Sequence, residues 1–116
     1  MMAVEYDLAI DQGATFYINF VYEDENGDAV DLTGYTAGMQ FRESYSSAAA
    51  TVSLTSPSGG IVITPATGTI SVTVSATNTA LLTAQTYVYD LEITDGAGVV
   101  TRVVQGKALI AFQATK

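Results

Sequence analysis

The chain has 116 residues, with twelve Asp and Glu against four Lys and Arg, a formal net charge of −8, and neither cysteine nor histidine. That length suffices for one core and not for two, so a single domain over residues 1–116 is expected. Without cysteine there are no disulfides, thiolate metal sites or cysteine nucleophiles. Without histidine the commonest general base and zinc ligand are missing as well, which disfavours an enzyme.

Along the chain, Val4, Tyr6, Leu8 and Ile10 alternate with Glu5, Asp7, Ala9 and Asp11, which predicts a first strand with one wet face, broken at Gln12-Gly13. Phe16, Ile18, Phe20 and Tyr22 share the inward face of a second strand, with Tyr17, Asn19, Val21 and Glu23 outward. Asn26-Gly27 supplies the positive-φ residues of a tight hairpin after it. A short strand is expected over Ala29–Leu32, and another in which Met39 and Phe41 face the core. The stretch Glu43–Ala50 reads as a polar connection, Thr51–Thr55 as an edge strand, and Ser56-Pro57-Ser58-Gly59-Gly60 as a turn.

Ile61–Ile63 and Gly68–Ser75 form a second hairpin around Pro65-Ala66-Thr67, with Ile70, Val72 and Val74 on one face. The period then breaks at ATNTALLTA, which suits one short helical turn capped by Ser75 or Thr77. Gln85–Thr94 is the strongest strand, with Tyr87, Tyr89, Leu91 and Ile93 inward. Asp95-Gly96-Ala97-Gly98 turns the chain back into Val99–Phe112. In that last run Val100, Arg102 and Val104 are expected on one face opposite Thr101 and Val103, and Gly106 marks a bulge where the strand bends or changes partner. About seven to nine short strands joined by Gly, Asn and Pro turns indicate an all-β antiparallel β-sandwich with one short helical turn.

Val30–Arg42 with its DLTGYT element, the strand GTISVTV at Gly68–Val74, YVYDLEI at Tyr87–Ile93 and the turn DGAG at Asp95–Gly98 follow one another in an order that resembles a known group. It is that of the small immunoglobulin-like virion proteins of tailed phages, including the N-terminal domain of phage baseplate upper proteins. The resemblance implies an immunoglobulin-like sandwich and a non-enzymatic structural role in the virion, most readily in the tail or baseplate, assembled in the host cytoplasm. Other phage structural proteins and copies of this chain are the implied partners. A capsid decoration or neck protein of the same fold is the alternative within that setting, and a carbohydrate-binding or adhesin module is the alternative outside it. Baseplate upper proteins continue beyond this domain into regions for oligomerisation or receptor binding, whereas this sequence ends at Lys116. The resemblance therefore implies the fold more strongly than it implies fibre organisation.

The remaining expectations concern individual side chains. The acidic balance argues against a nucleic-acid partner. MMAVEYDLAIDQG lacks the basic start and apolar centre of a secretory leader, and no apolar run reaches membrane-spanning length. No cofactor is implied. Asp24-Glu25-Asn26-Gly27-Asp28 has oxygen ligands at alternating positions, but the glycine and glutamate of a helix–loop–helix calcium loop fall on Ala29 and Tyr35, so a solvated hairpin is the better reading. Arg42 is expected to pair with Glu92 or Asp90, or else to anchor an interface, and Arg102 invites the same two readings. Asp90 and Glu92 lie two apart on one strand face, as a glycosidase pair might be arranged, but on an open sheet nothing tunes them for acid chemistry. Tyr6, Tyr22, Tyr87 and Tyr89 fall on inward faces, which leaves Tyr17, Tyr35 and Tyr45 as candidate partner contacts beside Arg42 and Arg102. Thr51–Leu54 and Val99–Phe112 are apolar, with few guarding charges, and are expected to be pairing edges, at least one of which a neighbour covers.

Overall fold

The computed structural model describes residues 3–115. Among them the strands run β1 (Val4–Glu5), β2 (Leu8–Asp11), β3 (Phe16–Val21), β4 (Thr36–Arg42), β5 (Val52–Thr55), β6 (Ile61–Thr64), β7 (Thr69–Val74), β8 (Thr86–Thr94) and β9 (Val100–Ala111). One helical turn, α1 (Ala76–Thr79), separates β7 from β8. They form an all-β sandwich. One sheet has six strands in the order β1-β9-β8-β4-β5, with β2 also on β9, and the other has three in the order β3-β7-β6.

The core follows from period-two alternation. Tyr87, Tyr89, Leu91 and Ile93 of β8 are all buried, as are Met39 and Phe41 of β4, and they face Ile70, Val72 and Val74 of β7 across the sandwich. Burying each of these large side chains stabilises the fold by about 1.5–3 kcal/mol. Phe41 and Tyr89 add a stacked ring pair at 5.9 Å.

The turns obey one local rule twice. Asp24 Oδ1 accepts from the backbone N–H groups of Asn26 and Asp28, and Asp95 Oδ1 accepts from those of Ala97 and Val99. Three residues after each aspartate a glycine, Gly27 or Gly98, adopts a positive φ of 83° or 88°. Asn26 does not share that conformation, so in the first hairpin the aspartate carboxylate does the work expected of an Asn-Gly pair. The helical turn is capped as the sequence predicts, with the Ser75 hydroxyl accepting from the Asn78 N–H at 3.2 Å.

Four expectations are corrected. The N-terminal segment is two strands rather than one, and both pair parallel to β9, so the six-stranded sheet is mixed. The break at Tyr6-Asp7 shifts the phase: Leu8 and Ile10 are buried whereas Tyr6 is exposed, contrary to its expected inward face. Residues 29–32 form no strand beyond a single bridge from Ala29 to Glu23, because the chain there lifts off the sheet to lay buried Leu32 against Pro65. Finally, most of β9 is no edge. It is flanked by β8 on one side and, from Val104 onward, by β1 and β2 on the other, so of the two expected edges β5 is one along its length and β9 only over 100–103 among the described residues.

The irregularity in β9 lies upstream of Gly106. Leu91 pairs with Val104 and Glu92 with Arg102, so Val103 is the extra residue. This bulge reverses the facing of the strand. Val104 is buried while Arg102 reaches the outer face, so the two do not share a face as alternation alone predicts. Gly106 does mark the change of partner from β1 to β2. A methyl there would collide with the Tyr6 carbonyl oxygen. It also sits directly across from Tyr89, and its missing side chain clears a path for the Tyr89 hydroxyl to donate to that same carbonyl. Burial, reinforced by the nearby Asp7 charge, pushes the Tyr89 phenol well above its ordinary range, so it remains a donor.

Candidate functional site

Three of the five nominated residues converge. Arg42 ends β4, Tyr45 follows it, and Arg102 is turned outward by the Val103 bulge. Together with Gln40, Asp90 and Glu92 they line a shallow groove of about 310 Å³ on the outer face of the six-stranded sheet. Tyr45 is 65% exposed at its rim.

Cross-strand register decides the charge pairing within the groove. Arg102 stands opposite Glu92, and its guanidinium lies 3.5 Å from Asp90 Oδ2 and 3.8 Å from Glu92 Oε2, with a further bond to Gln105 Oε1 at 3.1 Å. Each exposed ion pair contributes about 0–1 kcal/mol. Arg42, expected to take those carboxylates, stands opposite Val88 and binds the Ser47 carbonyl at 2.9 Å and Gln40 Oε1 at 2.8 Å instead. Both carboxylates therefore face one arginine on an open surface. The groove offers a polar ligand hydrogen bonds and a tyrosine ring, with no enclosed acid–base pair.

The other two nominees lie elsewhere. Tyr35 is half-buried against the core beside Leu32 and Pro57. Tyr17 projects from the outer face of β3 in the three-stranded sheet, 61% exposed. Asp24, the residue that suggested calcium, spends its carboxylate on closing its hairpin. Among the described residues no group of three or more Asp or Glu side chains is placed to hold a metal ion. No helix among them is long and apolar enough to cross a membrane.

A second surface was missed by sequence reasoning. β3 is an edge strand, FYINFV, with no charge, proline or bulge among its six residues. Its hydrogen-bonding sides are fixed by its neighbours. The Tyr22 N–H binds the Gly68 carbonyl at 2.9 Å, while on β7 the Thr73 N–H points the other way, to the Gly60 carbonyl at 2.8 Å. By the alternation of an antiparallel ladder, Phe16, Ile18 and Phe20 bond to β7, and Tyr17, Asn19 and Val21 present their N–H and C=O groups at the free edge. Beside that edge the seam between the sheets stays open as an apolar groove of about 360 Å³, lined by Val4, Tyr6, Ile18, Phe20 and Val21. Across it the rings of Tyr6 and Phe20 meet edge to face at 6.4 Å. The clue in the sequence was the missing gatekeeper, an outward face in Phe16–Val21 with no Lys, Glu or Pro.

No protein-family model matches this chain, and no curated protein matches it.

Proposed function

We propose that this chain is a non-enzymatic structural component of a tailed-phage virion, most readily of the tail or baseplate, that works by docking against other virion proteins and copies of itself in a symmetric assembly. The observation that carries the mechanism is the unguarded β3 edge beside an apolar seam. A freely diffusing β domain ordinarily blunts such an edge, whereas a subunit built into a larger particle has a neighbour to cover it. The setting comes from the resemblance of the DLTGYT, GTISVTV, YVYDLEI and DGAG elements to phage virion domains. The acidic surface fits the same reading, because net charge limits nonspecific aggregation of subunits before they assemble.

Immunogold labelling of intact virions with an antibody to this chain tests the proposal. Label at the tail tip is the expected result. Label over the head shifts the reading to a capsid decoration or neck protein, and absence from every particle overturns it.

The groove supports a second reading, a carbohydrate-binding module, because a Tyr45 ring flanked by Arg42 and Arg102 is suited to stacking on and hydrogen-bonding a sugar. A glycan array on which binding disappears with Tyr45→Ala supports it, and a blank array removes it.

A further inference from the structure

We infer that the β3 edge is a self-complementary interface, on which two copies of this chain pair antiparallel about a twofold axis to make one continuous sheet of six strands from two three-stranded sheets. The inference rests on the geometry of β3 and holds whether or not the protein belongs to a virion.

Facing and hydrogen bonding together select the register. A twofold perpendicular to the sheet keeps both inward faces on the same side, so inward residues must stand opposite inward ones and outward opposite outward. Pairing even-numbered with odd-numbered residues is thereby excluded. Two central registers remain. With Ile18 on the axis, only Tyr17 and Asn19 of the strand find each other with their free backbone groups. With Asn19 on the axis, Tyr17 meets Val21, Asn19 meets Asn19 and Val21 meets Tyr17. All three free residues of β3 then enter hydrogen-bonded pairs, each exchanging two bonds.

That second register also suits the side chains. On the outer face it sets Tyr17, 61% exposed, against Val21, 51% exposed, which is an aromatic–β-branched pair. On the inner face Ile18 meets Phe20, and these are the half-buried residues that line the open seam.

Charge decides whether a copy can be the occupant at all, since each chain carries −8. The nearest carboxylate on β3's outward side is Glu23. With Asn19 on the axis the two Glu23 residues lie eight steps apart at about 3.4 Å each, roughly 27 Å along the sheet. The Debye length at physiological salt is about 8 Å, so this repulsion is screened. None of the six residues of β3 is charged, so the strand brings no carboxylate into the pairing.

Sedimentation equilibrium on the purified chain at about 0.15 M salt tests the pairing, with Asn19→Lys, Asn19→Asp and their equimolar mixture. Asn19 is exposed and its side chain makes no hydrogen bond with another described residue, so both variants keep the fold, which circular dichroism verifies. The wild type is expected to dimerise. Each variant alone, with like charges meeting on the axis, weakens dimerisation at least tenfold, and the mixture restores it as a heterodimer. Net charge alone predicts the opposite for Asn19→Lys, which lowers the repulsion between chains. A wild type that stays monomeric at millimolar concentration, variants that dimerise like the wild type, or a mixture that recovers nothing would each overturn the inference.

Discussion

The two flanks of the sandwich are built from similar residues and end differently. On one flank β5 and β6 are edges of opposite sheets, and the chain crosses directly between them. Thr55 and Gly59 exchange backbone bonds at 3.0 and 2.9 Å, Gly60 receives the Thr73 N–H, and the Ser56 hydroxyl accepts from the Ala37 N–H at 2.8 Å. The inward residues Val52 and Leu54 are consequently 4% and 3% exposed. On the other flank, α1 pins only the lower end, where Thr79 Oγ1 accepts from the Gly13 N–H and donates to the Ala14 carbonyl, both at 2.9 Å. Above that point no described segment crosses, and the inward residues of β3 stay partly exposed although Ile70, Val72 and Val74 beside them are fully buried. An edge strand with a well-formed apolar face is therefore not sealed by its sequence. Sealing comes from chain that crosses the gap.

The contrast can be tested by mutation. Leu54→Ala on the sealed flank should cost about 2–5 kcal/mol, while Ile18→Ala on the open flank, already partly wet, should cost about 1–2 kcal/mol. Urea unfolding at low protein concentration reads both, and equal losses would mean that the second flank is closed. Gly60→Ala should cost roughly 1–3 kcal/mol. Its φ is +101°, and its methyl would lie 2.9 Å from both the Thr73 carbonyl oxygen and Leu54 Cδ2, so the crossing itself is displaced. Increased exposure of Leu54 in that variant is the accompanying signature.

Tyr89→Phe, which unties the link between β1 and β2 from the core at the Tyr6 carbonyl, should lose about 1 kcal/mol at neutral pH. Its pH dependence has a definite sign. The native phenol's pKa is raised, so its contribution is fully present below the unfolded value of 10.0 and is lost as pH rises toward the native one. The wild type should accordingly lose stability above pH 10, and Tyr89→Phe should lose less over the same range.

The smallest effect is expected in the loop that lays Leu32 over the sealed flank. The Thr33 hydroxyl, at 2.7 Å, and its N–H, at 2.9 Å, hold the exposed Asp31 carboxyl below its ordinary value of 3.8. That stabilisation is present above the unfolded value and disappears as pH falls through the native one. An NMR titration should place Asp31 below 3.8 and should show Thr33→Val raising it.

What the sequence made legible was whatever depends on one strand or one turn at a time. The alternation of β7 and β8, the Ser75 cap, the turn at Pro57 and the hairpin around Pro65 are all local. What it hid depends on neighbours. Arg42 and Arg102 each end or follow a run of alternating residues, and only the register, with Val88 opposite one and Glu92 opposite the other, says which of them takes the carboxylates. Val99–Phe112 reads as an unguarded edge because its apolar character is visible, while its burial between β8 and the N-terminal strands is not. The exposure of Tyr6 follows from the break at Gly106, a hundred residues away in sequence. The groove was half legible: Arg42, Arg102 and Tyr45 were nominated separately, and the bulge at Val103 that brings Arg102 to the others leaves no mark in the alternation.

Hydrogen exchange along β3, followed residue by residue as protein concentration is raised, tests the central claim most directly. At low concentration the amides of Phe16, Ile18 and Phe20, bonded to β7, should be protected while those of Tyr17, Asn19 and Val21 exchange freely. At high concentration the second set should become protected as well. Protection of Tyr17, Asn19 and Val21 at every concentration would mean that the edge is sealed within the chain, and free exchange of all three at the highest concentration would mean that no second copy covers it.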